Sequence, residues 1–191
     1  MGTSLTLKPL RLSNWKQTID KITKNLANWS FRTLNFAGRV VLVKTVLQSI
    51  PIYHILAMAA PKGVCTKMTK IFKKFIWGGL KDQRKWSLVS WKDLVKSKME
   101  GGLGLRDPYI LNHTMGGKLW LCWLNGGNDL WKRIWTKKYK MPTKLEEILR
   151  IRDTPKGSRI WNLANVNKVI ITRHAFWEIR DGSSAKFWEE A

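Results

Sequence analysis

Apolar residues recur along this chain at the spacing of helices rather than strands. Trp15, Ile19, Ile22, Leu26 and Trp29 share one arc at the helical period, with Lys16, Lys21 and Lys24 on the other side and Asp20 the single acid among them. Ser13 is placed to cap this first helix. After a short polar break, Asn35 is placed to cap a second helix over about 36–49. Its stretch 39–48 is apolar nearly all round, as a buried element would be. Pro51 is expected to open a new segment, since proline suits a first helical turn and interrupts an interior one; 52–60 reads as helical and Pro61 closes it. Over about 63–77 the period is clearest. Val64, Met68, Ile71, Phe72 and Phe75 make a stripe, while Lys67, Lys70, Lys73 and Lys74 cluster on another arc with no acid interleaved.

Gly78-Gly79 ends that helix, and a charged loop, 81–85, precedes a short extended piece at 86–91 and a helical turn at 92–96. Gly101-Gly-Leu-Gly104 lacks the Lys-Ser/Thr pair of a phosphate-binding loop and follows no strand of a βαβ unit, so it reads as a turn. Pro108 starts a helix to about 124 that carries Leu111, Met115, Leu119, Cys122 and Trp123. Gly116-Gly117 in its middle calls for close helix packing or a kink. Asn128 or Asp129 caps a helix through about 139, and Ser158 caps a last one ending near Arg173. Asp181-Gly182 between two aromatic segments predicts a hairpin. The fold class expected is mainly α: an irregular multi-helix bundle with a small C-terminal β-hairpin. It divides into a helical domain, 1–140, a polar linker with a short helical turn, 141–157, and a terminal helix plus incomplete hairpin, 158–191.

Composition adds a partner to this picture. With 191 residues and 44% hydrophobic the chain can bury a real core. Its 35 Lys+Arg against 13 Asp+Glu give +22, far beyond the roughly 2–8 that solubility of a small domain calls for. Such an excess fits a polyanion, either nucleic acid or an anionic membrane. It is concentrated early, for residues 1–80 hold one acid, Asp20. The 12 Trp offer two readings, stacking on unpaired bases or filling a helical core, and the amphipathic spacing of most favours the core. Cys65 and Cys122 are far apart without a CxxC pattern, which suits reduced thiols in an intracellular protein. With no signal peptide and no apolar run near ~18 residues, no transmembrane segment is expected. Met1-Gly2-Thr3-Ser4-Leu5-Thr6 matches a short myristoylation pattern, so a peripheral membrane binder stands as an alternative.

Candidate chemistry is sparse. His54, His113 and His174 are isolated, with no HxxxH and no metal-ligand spacing to a cysteine. The acids are scattered, no Gly-x-Ser-x-Gly elbow occurs, and no aspartate pair stands where two-metal catalysis needs one. Hence no catalytic residue, metal, cofactor or small-molecule substrate is expected.

Leu26-Ala-Asn-Trp29, followed by the run from Leu34 through Arg39, Lys44 and Pro51 to Tyr53, resembles the region just after the palm in plant LINE-type (non-LTR) retrotransposon reverse transcriptases. Phe75-Ile-Trp-Gly78, Leu88-Val-Ser-Trp91, Gly101-Gly-Leu-Gly-Leu-Arg106, Leu130-Trp131 and His174-Ala-Phe-Trp-Glu-Ile-Arg-Asp-Gly182 continue the resemblance in order over nearly the whole chain. It implies a thumb and connection over 1–140 that holds template–primer while a palm, absent here with its aspartates, does chemistry. It also implies that the end of the chain enters a zinc-binding region whose Cys/His ligands are missing here. The expected function is a non-catalytic grip on the backbone of RNA, DNA or an RNA–DNA hybrid by Lys16, Lys21, Lys24, Arg32, Arg39, Lys44, Lys70, Lys73 and Lys74. Contacts to phosphate position without reading bases and weaken steeply with salt. Location is expected to be intracellular, nuclear or cytoplasmic; oligomeric state stays open. The alternative is a degenerate transposon remnant or structural fragment without autonomous function.

Overall fold

Clean separation of apolar from charged positions makes the early helices, and those helices close a first core. The computed structural model describes residues 12–28, 34–78, 86–125, 127–141 and 157–174. Within them the chain is mainly helical and has no strand. A 3-10 turn, Leu12–Trp15, leads into α1, Lys16–Asn28, so Ser13 lies inside helical backbone rather than ahead of it. α2, Phe36–Leu42, begins at Asn35, whose side-chain oxygen accepts a hydrogen bond from the Gly38 N–H at 2.8 Å.

The chain does not break at Pro51, which corrects the expected segmentation. α2 runs through a π turn, Val43–Leu47, into α3, Ser49–Met58. An interior proline lacks the N–H for the carbonyl four residues back and crowds that carbonyl. Here Pro51 falls in the first turn of α3, directly after the wider π turn, which the Gln48 N–H closes onto the Val43 carbonyl at 3.0 Å. The resulting stretch Phe36–Met58, 23 residues, is long and apolar enough to cross a membrane by length and composition. The sequence pattern, divided at Pro51, had given no run of that length. Val43, Leu47, Ile55 and Met58 bury one side of it in the first core. α4, Lys62–Ile76, completes that core with Val64, Cys65, Met68, Phe72, Phe75 and Ile76.

Residues 86–90 are irregular rather than extended. Ser90 caps α5, Trp91–Val95, and a Ser97–Glu100 capping box starts a 3-10 turn, Lys98–Glu100. Gly101, at φ 79°, ends it in the left-handed conformation, so the glycine run is the expected turn. Gln48 ties the loop to the helices by donating to the Arg106 carbonyl at 2.9 Å. Asp107 caps α6, Pro108–Leu124, and also accepts from the Trp91 indole.

α6 belongs to both halves of the molecule. Leu111 and Met115 pack on the first core; Leu119, Trp120 and Trp123 join a second one with α7, Leu130–Tyr139, and α8, Arg159–His174. The second core is aromatic. The Trp135 and Trp161 rings meet edge-on at 5.0 Å, and Tyr139 stacks flat on Trp161 at 3.8 Å. The Trp120 indole donates to the Ala164 carbonyl at 2.7 Å. Gly116-Gly117 resolves as close packing, since α6 is uninterrupted and a Cβ at Gly116 would lie 2.8 Å from the Leu163 side chain. Ser158 caps α8 by accepting from the Trp161 N–H at 3.2 Å. Trp15, Trp120 and Trp161 are fully buried, whereas Trp86 is 88% exposed. The hairpin expected at Asp181-Gly182 and residues 142–156 of the expected linker lie outside the described residues.

Candidate nucleic-acid interface

The amphipathic sequence of α4 decides where its charge goes. At 100° per residue its six buried side chains occupy one side, and Lys62, Lys67, Lys70, Lys73 and Lys74 spread over the opposite arc. Lys67, Lys70 and Lys74 are exposed and Lys73 half-buried. No carboxylate among the described residues stands within ion-pair distance of any of them. Lys73 and Lys74 sit in the last turn, where the helix dipole favours cations. Lys16, Lys21 and Lys24 are likewise exposed on α1, opposite buried Trp15, Ile22 and Leu26, but share their side with Asp20.

The remaining expected contacts have different settings. Lys44 is exposed on the π turn, and its Nζ reaches over the glycine loop, 3.5 Å from where a Cβ of Gly104 would stand. Arg39 is half-buried and holds the fold together. Its guanidinium donates to the Leu34 carbonyl at 3.2 Å and to the Ile76 carbonyl at 3.1 Å, tying α2 to the end of α4. Gly78, at φ 73°, leaves room for it, since a Cβ there would lie 2.4 Å from a guanidinium nitrogen. Arg32 lies outside the described residues. The structure thus groups the α4 and α1 lysines on two helices that pack around one core, with Lys44 on the turn that also meets α4. The expected set omitted Lys62 and Lys67, which extend the α4 arc by the same periodicity. It also omitted exposed Arg133, Lys137 and Lys138 on α7.

Titratable groups elsewhere serve the fold. Lys96 and Ser90 hydrogen-bond Asp93 and hold its carboxyl below the usual range. Glu100 is held low by its bonds from Ser97. Asp129 pairs with Lys132 at 3.5 Å. Asp107 caps α6 by accepting from the Tyr109 and Ile110 N–H groups. Burial first, and the charge of Asp107 second, push the Cys65 thiol up to about 11. Both described cysteines are free. Among the described residues no three His, Cys, Asp or Glu side chains form a group that could hold a metal.

Two proteins of Arabidopsis thaliana are similar to this chain in sequence. One bears a provisional name as a ribonuclease H protein and is 27% identical over 190 residues. That match covers 96% of this chain, and the chain spans only 30% of the relative's length. The other, an uncharacterized mitochondrial protein, is 27% identical over 141 residues, 73% of this chain and 90% of its own length. No protein-family model matches the chain.

Proposed function

We propose that this chain is a non-catalytic nucleic-acid-binding module of retroelement descent, resembling the thumb and connection of a plant LINE-type reverse transcriptase. It grips the sugar–phosphate backbone of RNA, DNA or an RNA–DNA hybrid, inside the cell. The observation that carries the reading is the α4 arc, five lysines on one side of one helix with no carboxylate paired to them among the described residues. A merely solvated helix face gains by alternating its charges; a face that meets phosphates gains by excluding acids. Among the described tryptophans Trp15, Trp120, Trp135 and Trp161 are buried and Trp86 alone is exposed, which supports backbone contact over base stacking. Four of the five described carboxylates make structural bonds, which supports a grip without chemistry of its own. The name of the longer relative supports a nucleic-acid setting.

Titration of the chain against a short RNA–DNA hybrid at rising salt tests this. Engagement of about five phosphates predicts a log–log slope near −4 to −5, so affinity falls on the order of several hundredfold between 50 and 200 mM. A flat response removes the backbone grip. A broad, non-cooperative melt of the isolated chain would instead support the remnant.

A further inference from the structure

Among the described residues, a strip of α6 between α3 and α8 is left uncovered. Met115, Leu119 and Cys122, at i, i+4 and i+7, floor a groove walled by Leu56 of α3 and Ile160 of α8. Its free volume is about 150 Å³, a size that elsewhere admits a benzene ring. Lys118 is the one charged residue in its lining, and no carboxylate joins it. Leu56 is 50% exposed at its edge. A groove floored by an apolar helical stripe and walled on two sides is the kind of surface on which an amphipathic helix lays its apolar face.

We infer that this groove docks an apolar-anchored, acid-flanked segment of a partner protein. The lining is almost wholly apolar, so phosphates would gain nothing there. A second copy of the chain would bring +22 against +22, whereas acidic flanks complement Lys118 in the lining and the net positive charge of the chain. A concave slot of this volume takes one large side chain with its neighbours rather than a flat bilayer face. The groove lies where α6 passes from the first core to the second, so its occupant would touch both. This site is separate from the α4 lysines and stands or falls independently of them.

The test uses the full chain and a fluorescein-labelled synthetic helical peptide carrying leucine or phenylalanine at i, i+4 and i+7 and glutamates on its flanks. Anisotropy should show saturable binding that weakens about tenfold or more in Leu56→Glu. Circular dichroism and hybrid binding of that variant should match the parent. Cys122 supplies a second readout. It lines the groove, while Cys65 is buried, so alkylation of the folded chain should mark Cys122 and slow when the peptide binds. Equal binding of a peptide with serine at the anchors overturns the proposal, as does an alkylation rate the peptide leaves unchanged. Sedimentation showing a dimer that Leu56→Glu dissolves would assign the groove to self-association. Stronger protection of Cys122 by phosphatidylserine vesicles than by the peptide would assign it to lipid.

Discussion

The two cores are built from different material and show different outsides. The first packs aliphatic and single aromatic side chains from α1 to α4. The outer faces of α1 and α4 are lysine-rich with their apolar stripes turned inward, while α2 and α3 leave Phe36, Val41, Tyr53 and Leu56 exposed. The second packs Trp120, Trp135, Trp161 and Tyr139 against one another. Its outer faces are mixed: Leu130 and Ile134 stand exposed beside Arg133 and Lys137 on α7, and Val166 and Ile170 on α8. A clean cationic face suits a polyanion. Aliphatic side chains left among cations suit another protein surface. On the proposed reading, phosphate binding falls to the α1 and α4 faces of the first half.

The largest effect should come from the aromatic core. Trp161→Ala removes a fully buried indole and its stack with Tyr139, and should lower the urea-unfolding free energy by about 3–5 kcal/mol. Because α6 serves both cores, the loss should appear as one cooperative transition at lower urea. Two separated transitions would divide the cores into independent units. Gly116→Ala should cost about 1–3 kcal/mol, since the new methyl lands 2.8 Å from Leu163. Gly63→Ala on α4 meets nothing within 4 Å and should be neutral or stabilise by up to about 1 kcal/mol. Equal effects would mean that α6 and α8 are not closely packed in solution.

A similar size is expected where α3 turns into α4. Asn112 accepts from the Ala60 N–H at 2.8 Å and donates to the Ala60 carbonyl at 3.1 Å, beside Ala59 at φ 22°. Asn112→Ala leaves both backbone groups buried and unpaired and should cost about 1–3 kcal/mol by thermal or urea melts. The smallest effects are those of pH. The Cys65 thiol, raised from 9.0 to about 11, keeps its proton in the folded chain where the unfolded chain has lost it. Its contribution is therefore present below pH 9 and lost as pH rises through 11, and Cys65→Ala should remove that part of the alkaline decline. Asp93 and Glu100, held low, lose their support of the 90–104 loop as pH falls through their folded values. Amide protection in that loop, exchange taken relative to the intrinsic rate at each pH, should fall in acid and do so less in Ser90→Ala and Ser97→Ala.

Much of this was legible along the chain because strong periodicity fixes which side chains turn inward. The α4 arc and the caps at Asn35 and Ser158 follow from spacing alone, whereas Gly116-Gly117 left close packing and a kink both open until α8 was placed against it. Pro51 was misread because a proline reports only that a donor is missing; the π turn just before it, closed by the Gln48 N–H on the Val43 carbonyl, is a backbone feature that no residue type announces. Arg39 looked like its lysine neighbours for a similar reason. Charge is visible in sequence, but the Ile76 and Leu34 carbonyls that engage its guanidinium are brought there by tertiary packing. The groove was invisible, since it exists only where α3 and α8 both flank α6.

The proposed contrast between the halves turns on whether the α4 or the α7 cations meet phosphate. Binding of an RNA–DNA hybrid should be measured across salt for the parent chain, for Lys67→Gln/Lys70→Gln/Lys74→Gln on α4, and for Arg133→Gln/Lys137→Gln/Lys138→Gln on α7. Each lost phosphate contact reduces the slope by about 0.9, so the α4 variant should flatten it by about 2 to 3 while the α7 variant leaves it near the parent's. Equal slopes for the two variants, or a loss confined to α7, would contradict the assignment of the grip to the first half.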